Sequence, residues 1–235
     1  MNFRIPHRFR RNGPVLAATM LAATLLIAAC GQADGGGDSA GAAVANAPVG
    51  KPVLVLAFGD SLFAGYNIAR SEAYPQQLEL ALRDKGLNVR VQNAGVSGDT
   101  TAAGRQRLAF VLDSMTTKPD LALVEFGGND MLRGLPPAEA RKNLEAIIAE
   151  FDRRDIEVVI MGMRAAPNLG SSYVSEFDAI YPDLAKTYDA ELVPFFIEPL
   201  ILNRSLVQND QIHPTPEGVK AMVEHSVDDI ADALD

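Results

Sequence analysis

Ser61, Asp210 and His213 are three residues of this chain whose types combine into acyl-transfer chemistry. A serine hydroxyl becomes a nucleophile when an imidazole takes its proton, and a carboxylate holds that imidazole in the right tautomer. Ser61 follows Gly59 and Asp60 at the end of an apolar run, and His213 sits in the string Asp210-Gln211-Ile212-His213-Pro214. The order Ser, Asp, His suits a hydrolase, although the acid and the base stand unusually close in the chain. Acyl transfer also needs donors where an oxyanion develops. The backbone N–H groups of Ser61 and Gly98 and the side-chain amide of Asn129 are the candidates, Gly98 within NAGVSGDT (93–100) and Asn129 within GGND (127–130). Taken singly, each has a plainer reading. Ser61 would cap a helix, Gly98 would be a turn glycine, Asn129 would form an Asx-turn, and Asp210 and His213 would be loop residues. Asp60, Asp99 and Asp130 read as side chains that hold loop backbone. His225, beside Glu224, Asp228 and Asp229, reads as part of a solvated helix face.

Placing such residues together requires rigid elements. Residues 52–58 (PVLVLAF) are an unbroken apolar run, the pattern of a strand covered on both faces. Further strands are expected at 88–92, 121–126, 156–161 and 191–196. Helices are expected at 74–85, 100–114, 136–153, 175–188 and 215–234. The helix at 136–153 has the clearest stripe, Leu144, Ile147, Ile148 and Phe151, with prolines at its start. Thr215 before Pro216 is an N-cap candidate for the last helix. Strands alternating with helices predict a three-layer α/β/α domain around a five-stranded parallel sheet. The order chosen is flavodoxin-like, 2-1-3-4-5, in which ligands bind beyond the carboxyl ends of the strands. Those ends fall after Phe58, Gln92, Phe126, Met161 and Phe196, and the polar blocks follow the first three; the DQIHP block lies between the fifth strand and the last helix.

The blocks GDSLFAGY, NAGVSGDTT, LVEFGGNDMLRG, AIYPDLAK, LVPFF and DQIHP resemble the SGNH (GDSL) hydrolases. The four letters correspond to Ser61, Gly98, Asn129 and His213. Within that family the likeness is to the thioesterase/protease/lysophospholipase branch known as TesA and its arylesterase relatives, and it runs from about Val53 to Val223. The resemblance implies hydrolysis of carboxylic esters or thioesters through an acyl-serine intermediate, with no metal and no organic cofactor. It also implies that the segment AAPNLGSSYVSEF (165–177), otherwise a plain surface loop without clear periodicity, is a flap lining an acyl groove, with Leu169 and Tyr173 as wall residues.

The N-terminus reads as an address. Residues 1–13 hold Arg4, Arg8, Arg10 and Arg11 and no acid, and 14–29 carry no charge. That run is short against the twenty or so residues a spanning helix needs, so it reads as an export signal. It ends in Ile27-Ala28-Ala29-Cys30, which resembles a bacterial lipobox, with Cys30 the acylated residue. The expected organisation is a signal peptide over 1–29, Cys30 with a Gly/Ala-rich tether over 30–50, and a hydrolase domain over 51–235. The expected location is a membrane, facing the periplasm or the cell surface, and Gly31 in place of an aspartate leans toward the outer membrane. The related enzymes are mostly soluble periplasmic proteins, so the lipid anchor is a departure. With a single cysteine in the chain, no intrachain disulfide forms.

Composition excludes other classes. At 48% hydrophobic and 22% charged the chain is not intrinsically disordered. Its net charge of −9 opposes binding to phosphate backbones, so no nucleic acid partner is expected. A two-metal phosphoesterase needs more histidines and carboxylates together than the chain supplies, and an α/β-hydrolase needs a G-x-S-x-G that is absent from residues 51–235. The partners expected are an ester substrate, small or lipid, and the membrane; the alternative is a non-catalytic lipoprotein that binds lipids or partners on the same fold. The sequence leaves acyl length, leaving group and oligomeric state open. Substituting Cys30→Ser is expected to release the protein from the membrane fraction, followed by fractionation and immunoblot; continued membrane association would instead indicate an uncleaved anchor.

Overall fold

A computed structural model of the chain describes residues 49–234. Five strands, β1 (Val49–Gly59), β2 (Leu87–Asn93), β3 (Leu121–Glu125), β4 (Glu157–Met161) and β5 (Glu191–Val193), form one sheet in the order β2-β1-β3-β4-β5. Every neighbouring pair is parallel. The expected order is therefore the observed one. All five residues of β3, the middle strand, are buried, as the apolar sequence of the first four requires.

Alternating side chains of the central strands feed two cores. Val55, Ala57, Leu123, Val159 and Met161 point to one face, where they meet α2 (Tyr74–Asp84) and α9 (Pro216–Asp232) through Leu78, Leu82, Val219 and Met222. Leu56, Phe58, Ala122, Val124 and Ile160 point to the other. There they meet α3 (Thr101–Ser114), α5 (Pro137–Arg153) and α7 (Ile180–Tyr188) through Leu108, Leu144, Ile147 and Leu184. The cap anticipated at Thr215 is present, its side chain accepting from Gly218 N–H, and Thr100, expected as the first residue of its helix, is the N-cap of α3 and accepts from Ala103 N–H.

Two elements differ from expectation. The fifth strand stops at Val193, well short of Phe196, because Pro194 has no N–H to continue the ladder. The chain then turns back, with Phe196 N–H donating to the Gly162 carbonyl. The single helix expected over 175–188 is two, α6 (Ser171–Asp178) and α7. Pro182 removes the bond that its N–H would make to the Asp178 carbonyl, so the helix breaks there. Most of the aperiodic segment 165–177 is also ordered, as a 3-10 turn at Pro167–Leu169 followed by α6. The short helices α1 (Ser61–Ala64), α4 (Gly128–Leu132) and α8 (Glu198–Leu202) complete the set. Among the described residues, no helix is long and apolar enough to cross a membrane.

Gly104, on the buried side of α3, packs on the Phe126 ring, and a Cβ built there would lie 2.6 Å from it. Gly104→Ala should gain about 1 kcal/mol of helix propensity and lose about 1–3 kcal/mol to overpacking. The net expectation is a lower midpoint in urea, and a raised midpoint would show that Phe126 yields freely.

Candidate active site

The site begins where β1 ends. Gly59 has no room for a side chain, since a Cβ would lie 2.8 Å from both Glu125 O and Glu125 Oε2. Asp60 follows as the N-cap of α1, its Oδ1 accepting from Leu62 N–H at 3.0 Å. Ser61 is the first residue of that four-residue helix and is 8% exposed. Its hydroxyl is thus fixed at the tip of a buried strand.

His213 and Asp210 arrive on the loop before α9. Ser61 Oγ lies 2.9 Å from His213 Nε2, and His213 Nδ1 lies 2.6 Å from Asp210 Oδ2. Asp210 Oδ1 also accepts from the backbone N–H groups of Ile212 and His213, each at 3.0 Å. The loop therefore wraps around its own carboxylate, with Gln211 in the left-handed region at φ 66°. That wrap is why an acid three residues from the base can still reach its ring. Partial burial works to raise the Asp210 pKa; the His213 side chain and the two N–H groups outweigh it and bring the pKa down to about 2. A hydroxyl, an imidazole and an ionised carboxylate in this line can move a proton off the hydroxyl.

The oxyanion candidates come from the other two strand ends. Asn129 is the second residue of α4, and its Nδ2 donates to Asp60 Oδ2 at 2.8 Å. Gly127 starts that helix at φ 115°, and a Cβ there would lie 2.1 Å from the Tyr181 hydroxyl. Gly98 has φ 85° and lies in a loop pinned to the serine segment. Val96 N–H donates to Gly59 O at 3.0 Å and Asn93 Nδ2 donates to Phe63 O at 2.7 Å. Arg133 donates to the Gly98 carbonyl at 2.7 Å. Asp130 holds loop backbone, as anticipated, whereas Asp99 acts on a side chain. Asp130 accepts from Thr101 N–H and Oγ1, and Asp99 pairs with Arg107, which donates to Gly59 O.

Ser61, Asp210 and His213 are thus brought together, and Asn129 is joined to them through Asp60. Leu169 and Tyr173 are elsewhere in the contact network: Leu169 is 37% exposed, while the Tyr173 hydroxyl donates to Leu135 O and its ring stacks on Phe177. Cys30 lies outside the described residues. His225 is not a solvated residue; it is half-buried on α9, where Nε2 meets the Phe195 carbonyl at 3.1 Å. Among the described residues, no cluster of three or more His, Cys, Asp or Glu is arranged to hold a metal ion.

Three contributors escape sequence reasoning. The Tyr66 ring stacks on His213 with centroids 4.2 Å apart. Gln208 clamps the histidine loop to the serine segment: Nε2 donates to Tyr66 O and Pro214 O, Oε1 accepts from Asn67 Nδ2, and its N–H donates to His213 O. Gln208 carries no signal in the sequence, and Tyr66, although it closes the GDSLFAGY block, shows nothing there of its contact with the histidine. Glu125 carries one, as a charged residue closing an apolar strand. It is fully buried, and Oε2 accepts from Asp60 N–H at 3.0 Å. A cavity of about 1100 Å³ adjoins the loop, lined by Tyr66, Ile68, Val207, Gln208 and Asp210; Ser61 and His213 do not line it.

Comparison with known proteins agrees with this geometry. Residues 57–221 match the model of the GDSL-like Lipase/Acylhydrolase family. An arylesterase of Vibrio mimicus is 42% identical over 163 residues, covering 69% of this chain and 80% of that protein. Thioesterase 1/protease 1/lysophospholipase L1 of Escherichia coli K12 is 40% identical over 160 residues, covering 68% of this chain and 74% of that protein. Among solved structures, the SGNH-hydrolase family esterase AlinE4 superposes with a TM-score of 0.68 at 57% identity, covering 80% of this chain and 99% of that one.

Gln208→Ala removes three side-chain hydrogen bonds that register the imidazole against the hydroxyl. Misplacement of this kind costs up to about 10²-fold, so kcat should fall by roughly ten- to a hundredfold with KM little changed. An unchanged kcat on an ester substrate would show that the loop holds itself.

Proposed function

Because the chain belongs to the GDSL-like lipase/acylhydrolase family of SGNH hydrolases, we propose that it cleaves carboxylic esters through an acyl-serine intermediate on Ser61. The observation that carries this reading is the unbroken line from Ser61 Oγ through the His213 ring to Asp210, with gaps of 2.9 and 2.6 Å.

In the first half-reaction Ser61 Oγ attacks the ester carbonyl as its proton passes to His213 Nε2. Asp210, already ionised, stabilises the imidazolium and keeps Nδ1 protonated. Negative charge grows on the carbonyl oxygen, where the N–H groups of Ser61 and Gly98 and the Asn129 amide receive it. Collapse expels the alcohol, which takes the proton from His213. Water then repeats the sequence on the acyl-serine and frees the acid. Thioesters fit the same chemistry. An exported enzyme meets few coenzyme A esters, so aryl esters, acyl esters and lysophospholipids are the proposed substrates. Leu169 and Tyr173 are proposed to border the acyl chain. A lipid on Cys30 is proposed to tether the domain to a membrane, through residues 31–50.

Ser61→Ala should abolish turnover of a short-chain aryl ester while leaving the circular dichroism spectrum unchanged, and retained turnover would dismiss Ser61 as the nucleophile. A fluorophosphonate probe should label the parent at Ser61; absence of label in folded protein would favour a binding module on the same fold. Asn129→Ala should lower kcat by about 10²–10³, and a value within twofold of the parent would move that donor role elsewhere. Because the Asp210 carboxyl stays charged down to about 2, the acid limb of kcat/KM should follow one ionisation. A second protonation step well above that point would show that the carboxylate is not held as described.

A further inference from the structure

Glu125 is a fully buried acid that the reaction described above does not use. One oxygen, Oε2, accepts the Asp60 N–H at 3.0 Å. The other, Oε1, is buried and has no hydrogen-bond partner among the described residues. Glu125 therefore grips the Asp60 main chain directly, at the residue whose carboxyl accepts the Asn129 amide. We propose that Glu125, as a neutral carboxylic acid, is a positioning residue that holds Asp60 and through it aims the Asn129 amide at the oxyanion. The inference rests on the reading of Ser61 and Asn129 given above.

The physical reasoning starts from the unpartnered oxygen. An ionised Glu125 would leave a charged oxygen buried and unsatisfied beside a second carboxyl group, a combination that proteins avoid by keeping a proton. A proton on Glu125 removes the charge from that oxygen, while Oε2 stays free to accept the Asp60 N–H. Burial, and then the neighbouring Asp60 charge, push the Glu125 carboxyl well above its ordinary range, which agrees with the neutral form. Asp60 in turn stays the acceptor that its other partners need. Oδ1 accepts from Leu62 N–H at 3.0 Å and so fixes the start of α1, and Oδ2 accepts from Asn129 Nδ2 at 2.8 Å. With one of its two protons committed to Asp60, the Asn129 amide can direct only the other toward a substrate oxygen. The remaining ionisable groups around the pair are His213, near Asp60, the buried Tyr181 hydroxyl, which donates to Phe126 O, and Arg107, which donates to Gly59 O. None of these groups hydrogen-bonds to Glu125 Oε1.

The test uses the full chain and two near-isosteric variants. Glu125→Gln keeps a neutral donor and an acceptor, and should retain kcat within about threefold of the parent. Glu125→Leu removes both, and should lower kcat by about 10²-fold at nearly constant KM, the size expected when a reacting group is displaced. The infrared difference spectrum between parent and Glu125→Gln at neutral pH should show a neutral carboxyl band lost in the variant. The proposal is overturned if that band is absent, if the glutamine variant is as impaired as the leucine variant, or if the leucine variant keeps the parent's kcat. Should the leucine variant fail to fold, the spectrum and the glutamine variant still decide. Failure of the parent to label at Ser61 would count against the catalytic reading instead, and leaves the infrared outcome a separate measurement.

Discussion

The Asp60 carboxylate is the joint on which the site turns. One of its oxygens starts the helix that carries Ser61, and the other holds the Asn129 amide, so a single buried group links the end of β1 to the end of β3. Neither partner could be met by water, because Asp60 is 2% exposed. Such a group must be satisfied by protein or be neutralised. That requirement explains several features at once: Gly59 without a Cβ, Gly127 at positive φ so that α4 can begin against Tyr181, and a glutamate buried at the end of β3. The strand ends are crowded because two of them converge on one acid.

The histidine side of the site is built differently. It depends little on the sheet and much on a short loop closed on itself by Asp210, by the contact of Val207 with Pro214 and by Gln208. Its attachments to the serine side are the Tyr66 stack, the bonds of Gln208 to Tyr66 O and Asn67, and the imidazole itself. The nucleophile is therefore anchored by burial and the base by hydrogen bonds near the surface, where water competes and each bond contributes about 0.5–1.5 kcal/mol.

The parts legible in the sequence are those governed by local rules or by residue type. Apolar runs gave the strands, Thr215 before Pro216 the start of α9, and the polar blocks between strands and helices gave Ser61, Asn129 and His213. Misreadings came where a proline overrode a pattern, at Pro194 and at Pro182. Tyr66 and Gln208 stayed hidden because their roles exist only between loops that are far apart in the chain. Glu125 was within reach: an acid inside the run LALVEF contradicts a buried strand, and such contradictions gather at functional sites. His225 looked solvated only because its neighbours in sequence are charged, while the carbonyl it meets belongs to Phe195.

The self-wrapped loop has a mechanical corollary. Asp210 grips both the ring and the main chain of His213, so any excursion of residues 208–214 carries acid and base as one body. What varies in such a movement is the gap to the serine alone. An imidazole drawn away from Ser61 would keep its tautomer, and return would restore a reactive pair without rebuilding it.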